Sequence, residues 1–180
     1  MTKEKFIQRL QTVNLKNKEV NYNFLDVIKK EDNENIVSQW LAFLFDSKKC
    51  GSTLPLKLFC YHLNVEFIDG AVVDREYTLD NRRRIDIIIK LKKVWIVIEN
   101  KINSLECNEQ TVDYEDKISK EAEGQDISIK YVYLKPTYNK SKPANDNFMI
   151  MTYGDLADIW KTINGDDFTP KENHVYFSEL

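Results

Sequence analysis

Three residues in the middle of the chain, Asp86, Glu99 and Lys101, have the types and the spacing to act together. They lie within RRRIDIIIKLKKVWIVIENKI, residues 82–102, where two apolar runs flank Lys92-Lys93. A hairpin turning about that pair sets Leu91 against Val94, Ile88 against Val97 and Asp86 against Glu99. Strand alternation then assigns Asp86, Ile88, Val97, Glu99 and Lys101 to one face and Ile85, Ile87, Ile89, Ile96 and Ile98 to the other. Facing carboxylates repel, and burial among apolar neighbours raises the cost, unless one of them takes a proton or a cation sits between them. Lys101 supplies one positive charge. A hard divalent cation would supply two and prefers carboxylate oxygens, with Mg2+ also keeping waters and commonly a substrate phosphate. The expected chemistry is metal-assisted attack on a phosphodiester. The same residues would also suit an ordinary charged cluster at an exposed strand end.

Other residues are candidates to join this group. Glu34 stands at one end of the helical stripe that includes Val37 and Leu41, where a carboxylate can complete a metal shell or simply favour the helix start through the dipole. Gln110 and Tyr114 are one helical turn apart on the helix expected after Glu99-Asn100-Lys101, facing either the site or solvent. Arg82, Arg83 and Arg84 form the most basic short run and adjoin the site, so they can meet phosphates or form a solvated turn. Lys135, Lys140 and Lys142 around Pro136 and Pro143 make a second, weaker phosphate-facing loop. His62 and His174 are isolated from any Ser or Cys signature, and Trp40, Trp95 and Trp160 fit core stripes better than base-stacking platforms. The sequence holds no G-x-G-x-x-G and no Walker A motif.

The elements that must hold these residues follow from hydrophobic period. Helical stripes are expected over residues 2–12, carried by Phe6, Ile7 and Leu10, and again from Phe24, Leu25, Val27 and Ile28. A clearer one runs over 33–45, where Val37, Trp40, Leu41 and Leu44 recur and Asp32 or Asn33 can cap the start. A short helix is expected over 54–63. The period then changes to two, giving strands over 71–79, 84–90 and 94–99. A polar helix over about 105–122, a strand over 129–134, a strand over 148–152 and a helix over 155–163 complete the order. That order points to an α/β chain with a mixed β-sheet flanked by helices.

Composition excludes other classes. With 180 residues, 42% of them hydrophobic and 31% charged, the chain fits a single domain over 1–180 and is not dominated by disorder. At that length folding buries about 70% of the unfolded surface, so neither disulfides nor a structural metal is needed to hold a core. The 26 Lys and Arg against 29 Asp and Glu leave a net charge of -3, so an anionic partner must be met by a local patch. Cys50, Cys60 and Cys107 include no close C-x-x-C pair, which argues for reduced thiols rather than a disulfide framework or a zinc ribbon. No signal-like or membrane-spanning apolar run is present, and a cytoplasmic protein with no membrane partner is expected.

Taken in order, NENIVSQWLAFLFD, RRIDIIIK, IVIENKI, the Gln110-to-Tyr114 pair, VYLKP and MTYGDLADIW resemble bacterial members of the PD-(D/E)xK nuclease superfamily, over a core of about residues 32–163. Ile85 stands where the family's name has proline. The resemblance implies the restriction-endonuclease-like αβββαβ core with extra N-terminal helices, and hydrolysis of nucleic acid, DNA ahead of RNA, by a Mg2+-activated water, with Mn2+ as a substitute. Carried over by position, it makes Asp86, Glu99 and the Asn100 carbonyl metal ligands, with Glu34 ligating directly or through water. Lys101 would orient the attacking water and stabilise charge on the phosphate, and Gln110 would contact either, supported by Tyr114. Arg82, Arg83, Arg84 and Tyr114 become candidates for nucleic-acid contact, and a homodimer for double-strand cleavage stays open. The alternative is a catalytically inactive module of the same fold that binds nucleic acid or a protein partner.

Overall fold

The structure, a computed structural model, describes Lys29 and residues 32–174. The expected helices over residues 2–12 and from Phe24 lie outside the described residues. Helix α1 (Glu34–Phe45) begins at Asn33, whose side-chain oxygen accepts the Ile36 N–H at 3.1 Å, and turns Val37, Leu41, Leu44 and Phe45 inward. Short α2 (Ser47–Cys50) and α3 (Leu54–His62) follow. Then come β1 (Val72–Thr78), β2 (Arg84–Lys90), β3 (Val94–Asn100), α4 (Gln110–Glu121), β4 (Ser128–Lys135), β5 (Phe148–Thr152) and α5 (Tyr153–Trp160).

The strands form one sheet in the order β1-β2-β3-β4-β5. The first three are antiparallel neighbours, and β3, β4 and β5 run parallel, with α4 supplying the crossover that a parallel β3-β4 pair requires. This is the expected mixed sheet between helices. One face, with Ile87, Ile89, Ile96 and Ile98, packs on α1, α3 and α5 through Leu41, Phe59 and Trp160. The other, with Ile88 and Val97, packs on Tyr114 and Ile118 of α4. Coverage on both sides explains why Ile87, Ile88 and Ile89 are all buried in succession.

The hairpin register is the expected one, with Ile88 paired to Val97 and the Leu91 N–H donating to the Val94 carbonyl at 2.9 Å. The alternation, however, breaks at Asp86. Pairing between β1 and β2 skips the step where Glu76 stands opposite Asp86, and Glu76 has a left-handed backbone, φ 51°. Ile85 consequently packs with Ile88 and Val97, not with Ile87 and Ile89 as a regular two-residue period requires.

The helix expected from 105 starts later, at Gln110. Asn108 and Glu109 both have left-handed φ, 50° and 53°, which stops a helix from passing through them. Glu106 closes the open helix end from outside: its Oε1 accepts the Thr111 N–H at 2.9 Å and the Thr111 hydroxyl at 2.8 Å.

Candidate active site

The break at Asp86 and the end of β3 fall at the same level of the sheet. Beyond the Ile87–Ile98 pair the ladder between β2 and β3 stops, and the Asp86 carboxylate replaces a backbone acceptor by taking the Asn100 N–H at 2.8 Å. Here an open cavity of about 350 Å³ is lined by Asp86, Glu99, Lys101 and Gln110, with Arg83, Arg84 and Glu76 around it.

Glu99 is completely buried, and Lys101 is only 8% exposed. The Lys101 ammonium stands 2.6 Å from Glu99 Oε1 and donates to Gln110 Oε1 at 3.2 Å. Despite that ion pair, neither oxygen of Glu99 accepts a hydrogen bond of ordinary geometry from any described residue. Burial, reinforced by the charge on Asp86, pushes the Glu99 carboxyl up to about 8. Burial likewise raises Asp86 to about 6, against the opposing pull of the Asn100 N–H and Lys101. For Lys101 burial alone would favour the neutral amine, but Glu99 and Asp86 outweigh it and hold the ammonium above its usual range. Two crowded carboxyls and one cation leave a deficit of positive charge at the cavity floor.

A divalent cation fits that deficit. The unpartnered Oε2 of Glu99 and the oxygen of Asp86 not bonded to Asn100 are hard oxygen donors, and a cation there would favour their ionised forms. Among the described residues no group of three or more His, Cys, Asp or Glu is arranged to enclose a metal, so water or substrate oxygens would complete the coordination of an ion held here.

Glu34 is placed differently from a bare ligand. Its Oε1 accepts the N–H groups of Ile102, Asn103 and Ser104 at 2.8, 3.1 and 2.9 Å, and its Oε2 accepts the Ser104 hydroxyl at 2.9 Å. Burial acts to raise its carboxyl, but these four donors together outweigh it and hold the group below its ordinary value. Glu34 therefore stands beside the site as the anchor of the loop after Lys101. The side chain of Asn100 is also engaged: its amide donates to the Ser38 hydroxyl at 3.1 Å and its carbonyl accepts from the Tyr153 hydroxyl at 2.6 Å.

Tyr114 is fully buried, which removes it from direct contact with a substrate. Its hydroxyl donates to the Arg84 carbonyl and accepts from the Gln110 amide, tying α4 to β2 and presenting Gln110 to Lys101. Tyr114→Phe should lower stability in urea denaturation by about 1–3 kcal/mol, because the Arg84 carbonyl and the Gln110 amide would both lose a buried partner. An unchanged midpoint would mean that this link bears no load. Of the arginines, Arg83 pairs with Asp113 at 2.7 Å and Arg84 with Glu76 at 3.0 Å, both beside the cavity, whereas Arg82 is exposed and does not line it. Lys135 does not face a phosphate site, since its ammonium donates to the Asn139 and Ser141 carbonyls at 2.9 and 2.7 Å.

The sequence family described as the PD-(D/E)XK nuclease superfamily matches residues 22–174. The chain belongs to that superfamily. Its helix-flanked mixed sheet is consistent with the restriction-endonuclease-like fold of PD-(D/E)XK proteins. No curated protein and no solved structure matches the chain. Among the described residues, no helix is long and apolar enough to cross a membrane.

Sequence reasoning missed Glu76, Glu106 and Asn139. Glu76 acts through a left-handed backbone, Asn139 through contacts distant in sequence and Glu106 through a cap from outside the helix, and none of these has a periodic signature. The one signal was Glu106 lying five residues before Thr111, too far for the usual three-residue capping pattern.

Proposed function

We propose that this chain is a divalent-metal-dependent endonuclease that hydrolyses nucleic-acid phosphodiester bonds, with DNA as the first substrate, RNA as the comparison, and Mg2+ or Mn2+ as the cofactor. The reading is supported most by one observation: a fully buried Glu99 whose Oε1 meets only the Lys101 ammonium and whose Oε2 has no hydrogen-bond partner among the described residues, beside Asp86 in an open cavity. A structural ion pair would have its lone pairs satisfied. An acid kept this way has been left room for a ligand.

Asp86 and Glu99 would hold a divalent cation, whose chemistry there would be Lewis acidity toward a phosphate oxygen and a lowered pKa for a nearby water. The remaining roles fall to the chain. Lys101, kept protonated by its acidic neighbours, would donate to a non-bridging phosphate oxygen as charge builds there, and Gln110 would orient the ammonium and the entering water. Arg83 and Arg84 would meet flanking phosphates by exchanging Asp113 and Glu76 for the substrate, and exposed Arg82 adds local positive charge in a chain of net charge -3. Free Cys50, Cys60 and Cys107 suit a reducing compartment such as the cytoplasm.

The test is cleavage of end-labelled single- and double-stranded DNA and RNA in Mg2+, Mn2+ or EDTA. Cleavage that requires a divalent ion is expected, with DNA cut faster than RNA. Binding without turnover in either metal would reject the assignment in favour of an inactive binding module.

A further inference from the structure

Lys101 is followed by an irregular loop that two distant side chains grip from opposite chemical sides. Glu34, from the start of α1, accepts the N–H groups of residues 102, 103 and 104. Asn139, from the loop between β4 and β5, donates its side-chain amide to the carbonyls of Lys101, Ile102 and Ser104 at 3.1, 3.0 and 3.0 Å. Asn139 is only 7% exposed, its side-chain oxygen accepts the Ser141 N–H at 2.7 Å, and its own carbonyl is held by Lys135. The Lys101 N–H is meanwhile fixed on the Leu134 carbonyl at 2.9 Å.

We infer that Asn139 is a positioning residue for Lys101: with Glu34 as the opposite jaw, it locks the peptide groups that follow that lysine while Leu134 holds the one before it, so the ammonium stays on Glu99 and Gln110. The carbonyls that Asn139 serves belong to a turn with no strand partner there, and a two-proton amide meets several carbonyls from one buried point without burying a charge. Loss of those donors would free the loop to shift, and a shift of about 1 Å in a reacting group can cost up to about 100-fold in rate. The part of this inference that concerns rate rests on the nuclease reading; the part that concerns the lysine does not.

The experiment is lysine acylation followed by mass spectrometry on the full chain, wild type against Asn139→Ala, with Lys90 as a semi-buried, ion-paired control. Lys101 should be protected in the wild type and become reactive in the variant, with Lys90 and the circular dichroism spectrum unchanged. In cleavage assays the same variant should lose about 10- to 100-fold in kcat with KM and half-saturating Mg2+ unchanged, a split that general loosening would not give. Lys101 remaining protected in a folded Asn139→Ala protein would overturn the inference. If Lys90 also becomes reactive, the variant has unfolded, and the milder Asn139→Ser, which keeps one donor, decides: a smaller but Lys101-specific gain in reactivity supports the clamp, and a Lys101 protected as in the wild type refutes it. A wild type that cleaves nothing but shows the Lys101-specific change would uphold the clamp and sink the nuclease reading.

Discussion

Asp86→Asn should reduce divalent-dependent cleavage by about 1,000-fold or more while the protein stays folded. The amide keeps an oxygen that can accept the Asn100 N–H, so the end of β2 retains its one tie to β3. What it loses is the negative charge that would hold a cation against Glu99. Lys101→Met, which fills similar space without the ammonium, should cost about 100- to 1,000-fold, the range seen when one preorganised donor to a developing oxyanion is removed. The two losses should differ in kind. Raising the Mg2+ concentration should restore part of the Asp86→Asn rate and none of the Lys101→Met rate. Rates equal to wild type in both variants, with unchanged circular dichroism, would remove these residues from the chemistry.

In EDTA the folded protein should lose stability as pH rises from about 5 to 8, the opposite of the usual carboxylate behaviour. The sign follows from Glu99 and Asp86. Their ordinary values are 4.5 and 3.8, and in the fold they stand at about 8 and about 6. Between those limits the native state holds protons that the unfolded chain has released, so raising the pH favours unfolding. The stabilisation is complete below the unfolded values and is lost as pH passes through the folded ones. Each group contributes at most about 1.4 kcal/mol per pH unit inside its own window. Lys101, whose value is raised, begins to lose its contribution only above the ordinary lysine range and does not oppose the trend. Mg2+ should flatten the slope, because an ion that binds only the native carboxylates stabilises most where they are ionised. Melting temperatures measured with EDTA and with Mg2+ across this range check the point, and Glu99→Gln should remove most of the slope. A metal-free melting temperature that climbs from pH 5 to 8 would contradict the crowding of these two acids.

The hairpin was the legible part of the sequence. A period of two on either side of Lys92-Lys93 allows one register if the isoleucines are to be buried, and it places Asp86 and Glu99 at one level. The same reasoning put Ile85 on the wrong face, because alternation assumes an unbroken ladder and nothing in the residue types around Glu76 announces a left-handed backbone. The late start of α4 was hidden for a similar reason: Asn108 and Glu109 are not glycines, and Glu106 serves Thr111 from outside the helix. Glu34 was found by its place on a helical stripe, yet its partners lie 68 to 70 residues away, and no local pattern could tell a carboxylate that grips a loop from one that waits for an ion.

The division between the hairpin and its distant supports limits how far this chemistry could be transplanted. A synthetic peptide spanning residues 82–102 would carry both acids and the amine, but neither Glu34, the helix bearing Gln110 nor the loop bearing Asn139. Such a fragment would hold the reagents without their alignment. A graft onto another scaffold would have to bring those three remote segments with it.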